Sequence, residues 1–516
     1  MKKNYVLLLL LACCNSFGAI IYVNKNATGS NNGFSWTNAY TTLELAFSNS
    51  VVGDQIWVAQ GVYKPTGTSR STTFSIPNGV AVYGSFAGTE TAVSQRDLTN
   101  GVTTTLNGDI NSVGVQTDNC YNVVKFTNVS SLTIFDGFKI INGYNNTSTY
   151  GGAIYNSGGQ PTIRNCEMIA NYAFNGGAFG NSTQESNVTT LISCKIRNNS
   201  AIEGGAVFNN SGTLKLIDCY ITSNTASYGG AIHVEFDNVI VDRTIFSGNS
   251  ASNNGGVVYV DNTGSSIEFY NSLLVGNFAP EKSVMGMNSP VSNTDVSKFV
   301  NCTIVNNRNT GTSPNSSFIV VLPYNNGSTM HNCIFTNNIS PRVLLNGNVS
   351  NCIIDATIAA NNSVNVTSVA PSFVAAHIPE AAPFEHDNYN YRLVTGSAGI
   401  NGGSNALVSP LYTMDLSKGP RIANTTVDIG AYEVAALAVD TNTMRQVYCY
   451  PNPTSGAVFI NGGEMNTEYT VTNSLGATLH RGVINSDNQS IDLNGYSAGL
   501  YFVKLSNGVA QKIIKK

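Results

Sequence analysis

Gly-Gly-Ala-Val-Phe-Asn-Asn-Ser-Gly-Thr-Leu-Lys-Leu-Ile-Asp-Cys-Tyr-Ile-Thr-Ser-Asn, residues 204–224, holds the pattern that decides the fold. Gly-Gly-Ala recurs at Gly151, Gly176, Gly204 and Gly229, and Gly-Gly-Val follows at Gly255, in steps of 25, 28, 25 and 26 residues. Between 15 and 18 residues after each stands a small residue: Cys166, Cys194, Cys219, Thr244 and Ser272. Five residues further on comes an asparagine: Asn171, Asn199, Asn224, Asn249 and Asn277. The same offset links Cys302 to Asn307 and Cys333 to Asn338, and it looks back to Gly137 and Asn142. A fixed period of this size means a solenoid. Its triplets, such as Thr162-Ile163-Arg164 and Val239-Ile240-Val241, are β-formers too short for helices. Gly and Asn between them tolerate the left-handed backbone of sharp corners. The fold expected is an all-β, right-handed parallel β-helix of roughly 13 to 15 coils stacked about 4.8 Å apart.

Stacking places equivalent residues above one another. The eight asparagines from Asn142 to Asn338 then read as a structural amide ladder. Cys166, Cys194, Cys219, Cys302 and Cys333 read as a tight column of reduced, buried thiols, and no Cys-x-x-Cys pair suggests a metal.

Only 11% of the 516 residues are charged, against a usual ~25%, and the formal net charge is −4. With 42% apolar residues the chain is not disordered, and without a basic stripe it is no nucleic-acid binder. Residues 1–18 read as a signal peptide: Lys2 and Lys3 precede an apolar run, and Ser16-Phe17-Gly18 offers a cleavage site. A competing reading makes Leu10-Leu11-Ala12-Cys13 a lipoprotein box with Cys13 as the lipid acceptor. No later stretch has the ~20 apolar residues of a transmembrane helix. The expected location is secreted or on the outer-membrane surface.

The body is expected over 20–433, with a capping helix near 39–48 covering the open end of the solenoid. Gly53-Asp54-Gln55-Ile56-Trp57-Val58-Ala59, Tyr83-Gly84-Ser85-Phe86 and Gln95-Arg96-Asp97 resemble the opening of secreted pectate-lyase-like β-helix proteins. Asp428-Ile429-Gly430-Ala431-Tyr432-Glu433 resembles the string that ends many surface β-helix proteins. Asp415, Arg421, Asp428 and Glu433 are read as ion pairs holding down the last coil. The repeats themselves resemble those of polymorphic autotransporter-type surface proteins.

A linker over 434–446 leads to a unit over 447–516 whose alternating strands and Gly/Asn turns read as a small antiparallel sandwich. Tyr450-Pro451-Asn452-Pro453-Thr454-Ser455-Gly456 and Tyr496-Ser497-Ala498-Gly499-Leu500-Tyr501 resemble the type A C-terminal sorting domain of the type IX secretion system. The resemblance implies that type IX machinery is the partner of this unit and carries the chain across the outer membrane.

Catalytic signals are thin. His233, Glu235 and Asp237 would share one face if a strand ran through all three, which makes them the best local candidates for acid–base work. No cofactor is expected; calcium is compatible with a β-helix, but no Asp-x-Asp column supports it. Tyr144, Tyr150, Tyr172 and Tyr228 lie beside the Gly-Gly steps and could stack on sugar rings. The reading is adhesion or glycan binding, with polysaccharides or surface glycans as ligands. The alternative is a polysaccharide lyase or glycosidase on the same scaffold.

Overall fold

Each β-branched triplet forms one short strand whose alternate side chains point inward. In the computed structural model one coil runs through Thr162–Arg164, Glu167–Ile169, Tyr172–Asn175 and Phe179–Ser182, and Val188–Ile192 begins the next. Each strand pairs in parallel with its counterpart one coil away. We name the four sheets A, B, D and C in that order; among the described residues they hold 13, 11, 5 and 8 strands. The structure describes residues 18–516 except 99–102, 263, 289–295, 312–319, 323–326, 341–343, 346–347, 356–362, 378–381, 388, 435–446, 462–464, 487 and 507–509. The expected signal segment up to residue 17, with Cys13, and residues 435–446 of the expected linker lie outside the described residues.

Inward side chains pile into columns. Ile163, Leu191, Leu216 and Val241 come from sheet A, Met168, Ile196, Ile221 and Phe246 from sheet B, and Phe179, Val207, Ile232 and Val258 from sheet C. All are fully buried in one continuous core. Each such burial is worth roughly 1.5–3 kcal/mol.

Two corners of the coil are built alike. A residue with left-handed backbone turns the chain, and the next side chain enters the corner and pairs the backbone groups left open there. At the A–B corner the turning residues are Asn165, Ser193, Asp218, Arg243 and Asn271, with φ of 46–55°. Cys166, Cys194, Cys219, Thr244 and Ser272 follow them. Cys219 Sγ donates to Ile217 O at 3.4 Å and Leu191 O at 3.5 Å, and Thr244 Oγ1 accepts the Cys219 N–H at 3.1 Å. Cys302 and Cys333 occupy the same column, and these cysteines are all free and buried. Burial pushes the Cys194 and Cys333 thiols well above the usual range.

At the B–D corner stand Asn171, Asn199, Asn224, Asn249, Asn277, Asn307 and Asn338. Asn224 Oδ1 accepts from Asn199 N–H and Nδ2, both at 3.0 Å. Asn224 Nδ2 donates to Ile196 O at 2.9 Å and to Thr222 O and Asn249 Oδ1 at 3.0 Å. The same links join the column from Asn171 to Asn338. Asn142 does not belong to it. The register sets Ile141 opposite Ile169, so Asn142 is the turning residue, with φ 62°, and Gly143 holds the ladder position. Gly143 N–H donates to Asn171 Oδ1 at 2.9 Å, while Asn142 Nδ2 donates to Asn107. Gly137 is displaced in the same way, and Phe138 stands at the thiol position. A second, shorter ladder runs inside sheet C, where Asn156 Nδ2 donates to Asn181 Oδ1 and Asn181 Nδ2 to Asn209 Oδ1, both at 2.8 Å.

The third corner needs both of its glycines. Gly204 has φ +65°, and a Cβ on Gly205 would lie 2.3 Å from Gly230 O in the next coil.

A helix, Leu43–Ser48, buries Leu43 and Ala46 against the first coils. At the other end the described residues of 371–434 fold back as a strap over the outer side of sheet B. Tyr391, Leu393 and Ile429 pack on outward-facing Leu273, Val275, Val305, Ile334 and Ile353. Arg421, 1% exposed, is ion-paired to Glu433, and its Nη1 donates to Gly430 O at 3.0 Å. Asp428 Oδ1 accepts Asn401 N–H and Asp415 Oδ1 accepts Gly419 N–H, so this polar set locks the strap's own turns.

The chain divides into two compact units, up to Val434 and from Ala435 onward. The second unit holds a three-stranded and a four-stranded antiparallel sheet around Val458, Ile460, Val471, Ile491, Val503 and Ile513.

Replacing Asn224 by Ala should cost about 2 kcal/mol, since it leaves the Asn199 N–H without its acceptor and takes a donor from the buried Ile196 and Thr222 carbonyls. Denaturant unfolding checks this, and a loss below about 0.5 kcal/mol would show that the ladder carries little of the stability.

Candidate functional site

The fourth residue after the first glycine of each Gly-Gly step faces outward from sheet C. Aligned coil on coil, these are Tyr155, Gly180, Phe208, His233 and Tyr259. The residue just before each Gly-Gly step ends a sheet D strand or its equivalent, and the corner brings it toward the same face: Tyr150, Asn175, Glu203, Tyr228 and Asn254. Tyr150 sits over the space Gly180 leaves, where an added Cβ would come within 2.4 Å of the tyrosine Cβ. Its ring stacks on Phe208 at 5.3 Å and meets Tyr155 at 5.7 Å. The series continues from Phe208 to His233 at 4.9 Å, His233 to Tyr259 at 5.4 Å, and Tyr259 to Tyr228 at 5.0 Å. Phe208, His233 and Tyr259 form a buried floor, and Tyr150, Tyr155 and Tyr228 are half-exposed above it.

Three carboxylates border this strip. Glu203 ends the strand Ser200–Glu203, and Glu235 and Asp261 directly follow Ile232–Val234 and Val258–Val260. Burial raises the Glu203 carboxyl above its ordinary value, and the charges of Asp261 and Glu235 raise it further. Glu235 is raised by burial and by Asp261. The strip is therefore aromatic below and acidic at its rim, with Lys125 Nζ 5.3 Å from the Tyr155 ring centre at one end.

The three sequence candidates do not converge. The strand ends at Val234, so the alternation assumed for them stops before Glu235. His233 is 1% exposed between two rings, and burial lowers its pKa to about 3. Asp261 Oδ2 stands 3.9 Å from His233 Nε2, too long for a hydrogen bond, and the ring is neutral near pH 7. Asp237 turns the chain with φ 61°, and its Oδ2 accepts Gly212 N–H at 2.7 Å. Of the three, Glu235 alone keeps a place at the accessible rim. Tyr144 and Tyr172 stack on each other at 4.8 Å on sheet D, with Arg70 5.8 Å from the Tyr144 ring, apart from the Tyr150–Tyr228 series. Phe208, Tyr259, Glu203 and Asp261 escaped the sequence reading. Aligning the repeats on Gly-Gly puts Phe208, His233 and Tyr259 in one column, and that was the available signal.

Sheet B carries a second recess beyond the strap. A cavity of about 430 Å³ is lined by Lys139, Glu167 and Lys195 with Asn165, Ser193 and Thr103. Glu167 pairs with Arg197 at 2.6 Å and lies 3.7 Å from Lys139, leaving the recess net positive.

Residues 448–516 match the family described as secretion system C-terminal sorting domain, which agrees with the type IX motifs of this unit. No curated protein matches the chain. Among solved structures the chain is similar to pectate lyase Pel9A, with a TM-score of 0.52 and 17% identity over 81% of this chain and 97% of that one. It is also similar to a rhamnogalacturonan lyase, with a TM-score of 0.37 and 12% identity over 73% of this chain and 97% of that one. The first likeness shows a shared β-helix fold and extends no further at that identity.

Burial of His233 has a consequence for acid stability. Its pKa is about 3 folded against an ordinary 6.5, so between those values the unfolded chain binds the extra proton. Stability is then full above pH 6.5 and falls as acid is added, by up to about 1.4 kcal/mol per pH unit. His233→Phe should flatten that fall while keeping the ring series. Parallel acid-unfolding curves for the two proteins would contradict it.

Proposed function

We propose that this type IX-exported protein binds a polysaccharide along the sheet C strip. The observation that carries the reading is the unbroken series of rings from Tyr155 to Tyr228, bordered by Glu203, Glu235 and Asp261. Aromatic faces stack on the apolar faces of sugar rings, and carboxylates accept hydrogen bonds from their hydroxyls. The buried rings set the floor, and the half-exposed ones, Tyr150 and Tyr155 on one coil and Tyr228 three coils further on, stand at a coil rise of about 4.8 Å as two stacking points along one extended sugar chain. Three like charges at the rim disfavour uronic acids, and the fitting ligand is a neutral or amino sugar chain.

Calorimetric titration with amino-sugar oligomers, neutral oligomers and oligogalacturonides tests this. Binding is expected for the first two classes. Tyr150→Ala with Tyr228→Ala should weaken it at least tenfold, about 1.4 kcal/mol. Because Glu203 and Glu235 have raised pKa values, affinity for the amino sugar should fall as pH drops, beginning above the pH at which an ordinary Glu protonates. Affinity indifferent to the tyrosine pair would remove the strip as the site.

The net-positive recess over Lys139 and Lys195 favours a second reading, a lyase acting on uronates with a lysine as base. Turnover of oligogalacturonides to unsaturated ends, lost in Lys139→Ala or Lys195→Ala, would move the function there.

The 447–516 unit serves export and has no part in binding under this reading; it has its own core. Deleting it should hold the protein in the periplasm and leave the affinity of the body unchanged. Normal surface delivery of the truncated chain, scored by fractionation, would contradict that.

A further inference from the structure

One loop of the β-helix body leaves acidic oxygens buried and unpaired, away from the strip and the recess. It joins the sheet B strand Thr104–Asn107 to the sheet C strand Val124–Thr127. It contains Asp109-Ile110-Asn111-Ser112-Val113-Gly114 and, further on, Asp118-Asn119. The Oδ1 atoms of Asp109, Asp118 and Asn119 are shut off from solvent and accept no hydrogen bond. Asp109 is 7% exposed and Asn119 3% exposed. A buried carboxylate oxygen without a partner is costly, and native proteins pair such groups with donors or metals.

The other carboxylate oxygens show how the two acids are held. Gly114 N–H donates to Asp109 Oδ2 at 3.3 Å, and Ser112 N–H donates to Asp118 Oδ2 at 3.1 Å. Both carboxylates are thus fixed to the same short turn, each with one oxygen engaged and the other free. Asn111 Nδ2 donates to Asp118 O at 3.1 Å and draws the two halves of the loop together. The nearby cation, Arg70, directs its donors to Asn119 O, Tyr144 O and Asn146 Oδ1 and leaves both carboxylates alone.

Asp109, Asn111 and Gly114 match three positions of a calcium loop, but Val113 stands where its fifth-position ligand would be, so it is the buried oxygens, and not that motif, that point to a cation. Gly114 has φ +81°. The donor set consists of two carboxylates and one amide oxygen, with no imidazole or thiolate, which selects a hard cation. Among the described residues no group of three His, Cys, Asp or Glu side chains is placed to hold a metal, so amide and backbone oxygens must complete this site.

We propose that the 108–120 loop binds one calcium ion through Asp109, Asp118 and Asn119. The ion neutralises the two carboxylates and ties the loop to the first coils of the solenoid. This proposal is independent of the sugar-binding reading.

The test uses the exported full chain, stripped with chelator and checked by circular dichroism. Terbium is added, and its luminescence sensitised by neighbouring Tyr121 is followed, then displaced with calcium. Thermal unfolding is measured in calcium and in chelator. Saturable emission displaced by calcium, with a higher melting temperature in calcium, is expected. Asp109→Asn with Asp118→Asn keeps the shape and removes the buried charges. That variant should melt no lower than the stripped wild type, bind terbium at least tenfold more weakly, and lose the calcium-dependent rise. A folded wild type with no emission and no calcium-dependent shift would overturn the proposal. So would a double variant that binds as tightly as wild type, which would place the ion elsewhere.

Discussion

Pairing the backbone groups at each corner of a stacked coil is the constraint on which the rest of this body depends. A β-helix buries its corners between neighbouring coils, where water cannot reach the amides that a left-handed residue turns away from the ladder. Here the residue after the turn supplies the partner. Asn224 joins Asn199, Asn249 and two carbonyls through one amide. Thiols and hydroxyls do the same at the A–B corner, where Cys219 bonds to Ile217 O and Leu191 O. Coil lengths can vary only in the outward loops, because any shift at a corner would break both columns at once.

The same regularity leaves the outer faces to be specified separately. Along sheet B the outward positions change from Lys139, Glu167 and Lys195 to Ile245, Leu273 and Ile334. Apolar residues on an outer face need a cover, and the 371–434 strap supplies it with Tyr391, Leu393 and Ile429. The strap stops short of the charged stretch. Tyr220, next in register after Lys195, is where His386 meets the sheet at 2.7 Å, so the recess begins where the cover ends.

On sheet C the outward column is aromatic where sheet B is charged. Gly180 breaks that column, and Tyr150 lies over the gap from the coil before, so the ring series is continuous although the column is not. Glu203, before the sheet C strand of its coil, and Glu235 and Asp261, after theirs, border the strip close enough for their charges to act on one another. Their mutual repulsion and partial burial keep two of them readier to hold a proton than ordinary glutamates.

The period, the corner residue types and the sorting unit were legible in the sequence, because stacking forces one residue type into one place every coil. The offset of five residues could not separate the first corner position from the second. Asn142, a turning residue, therefore passed for a ladder residue until the register of Ile141 with Ile169 was known. Alternation grouped His233, Glu235 and Asp237, and it failed because the strand stops at Val234. Glu203 and Asp261 belong to different coils, 58 residues apart in the chain, and no local pattern connects them. The strap is likewise a tertiary event: its residues read as an end, and only the exposed apolar side of sheet B shows why they turn back. Local sequence determines what repeats within a coil, whereas sites that draw single residues from several coils exist only once the coils are stacked.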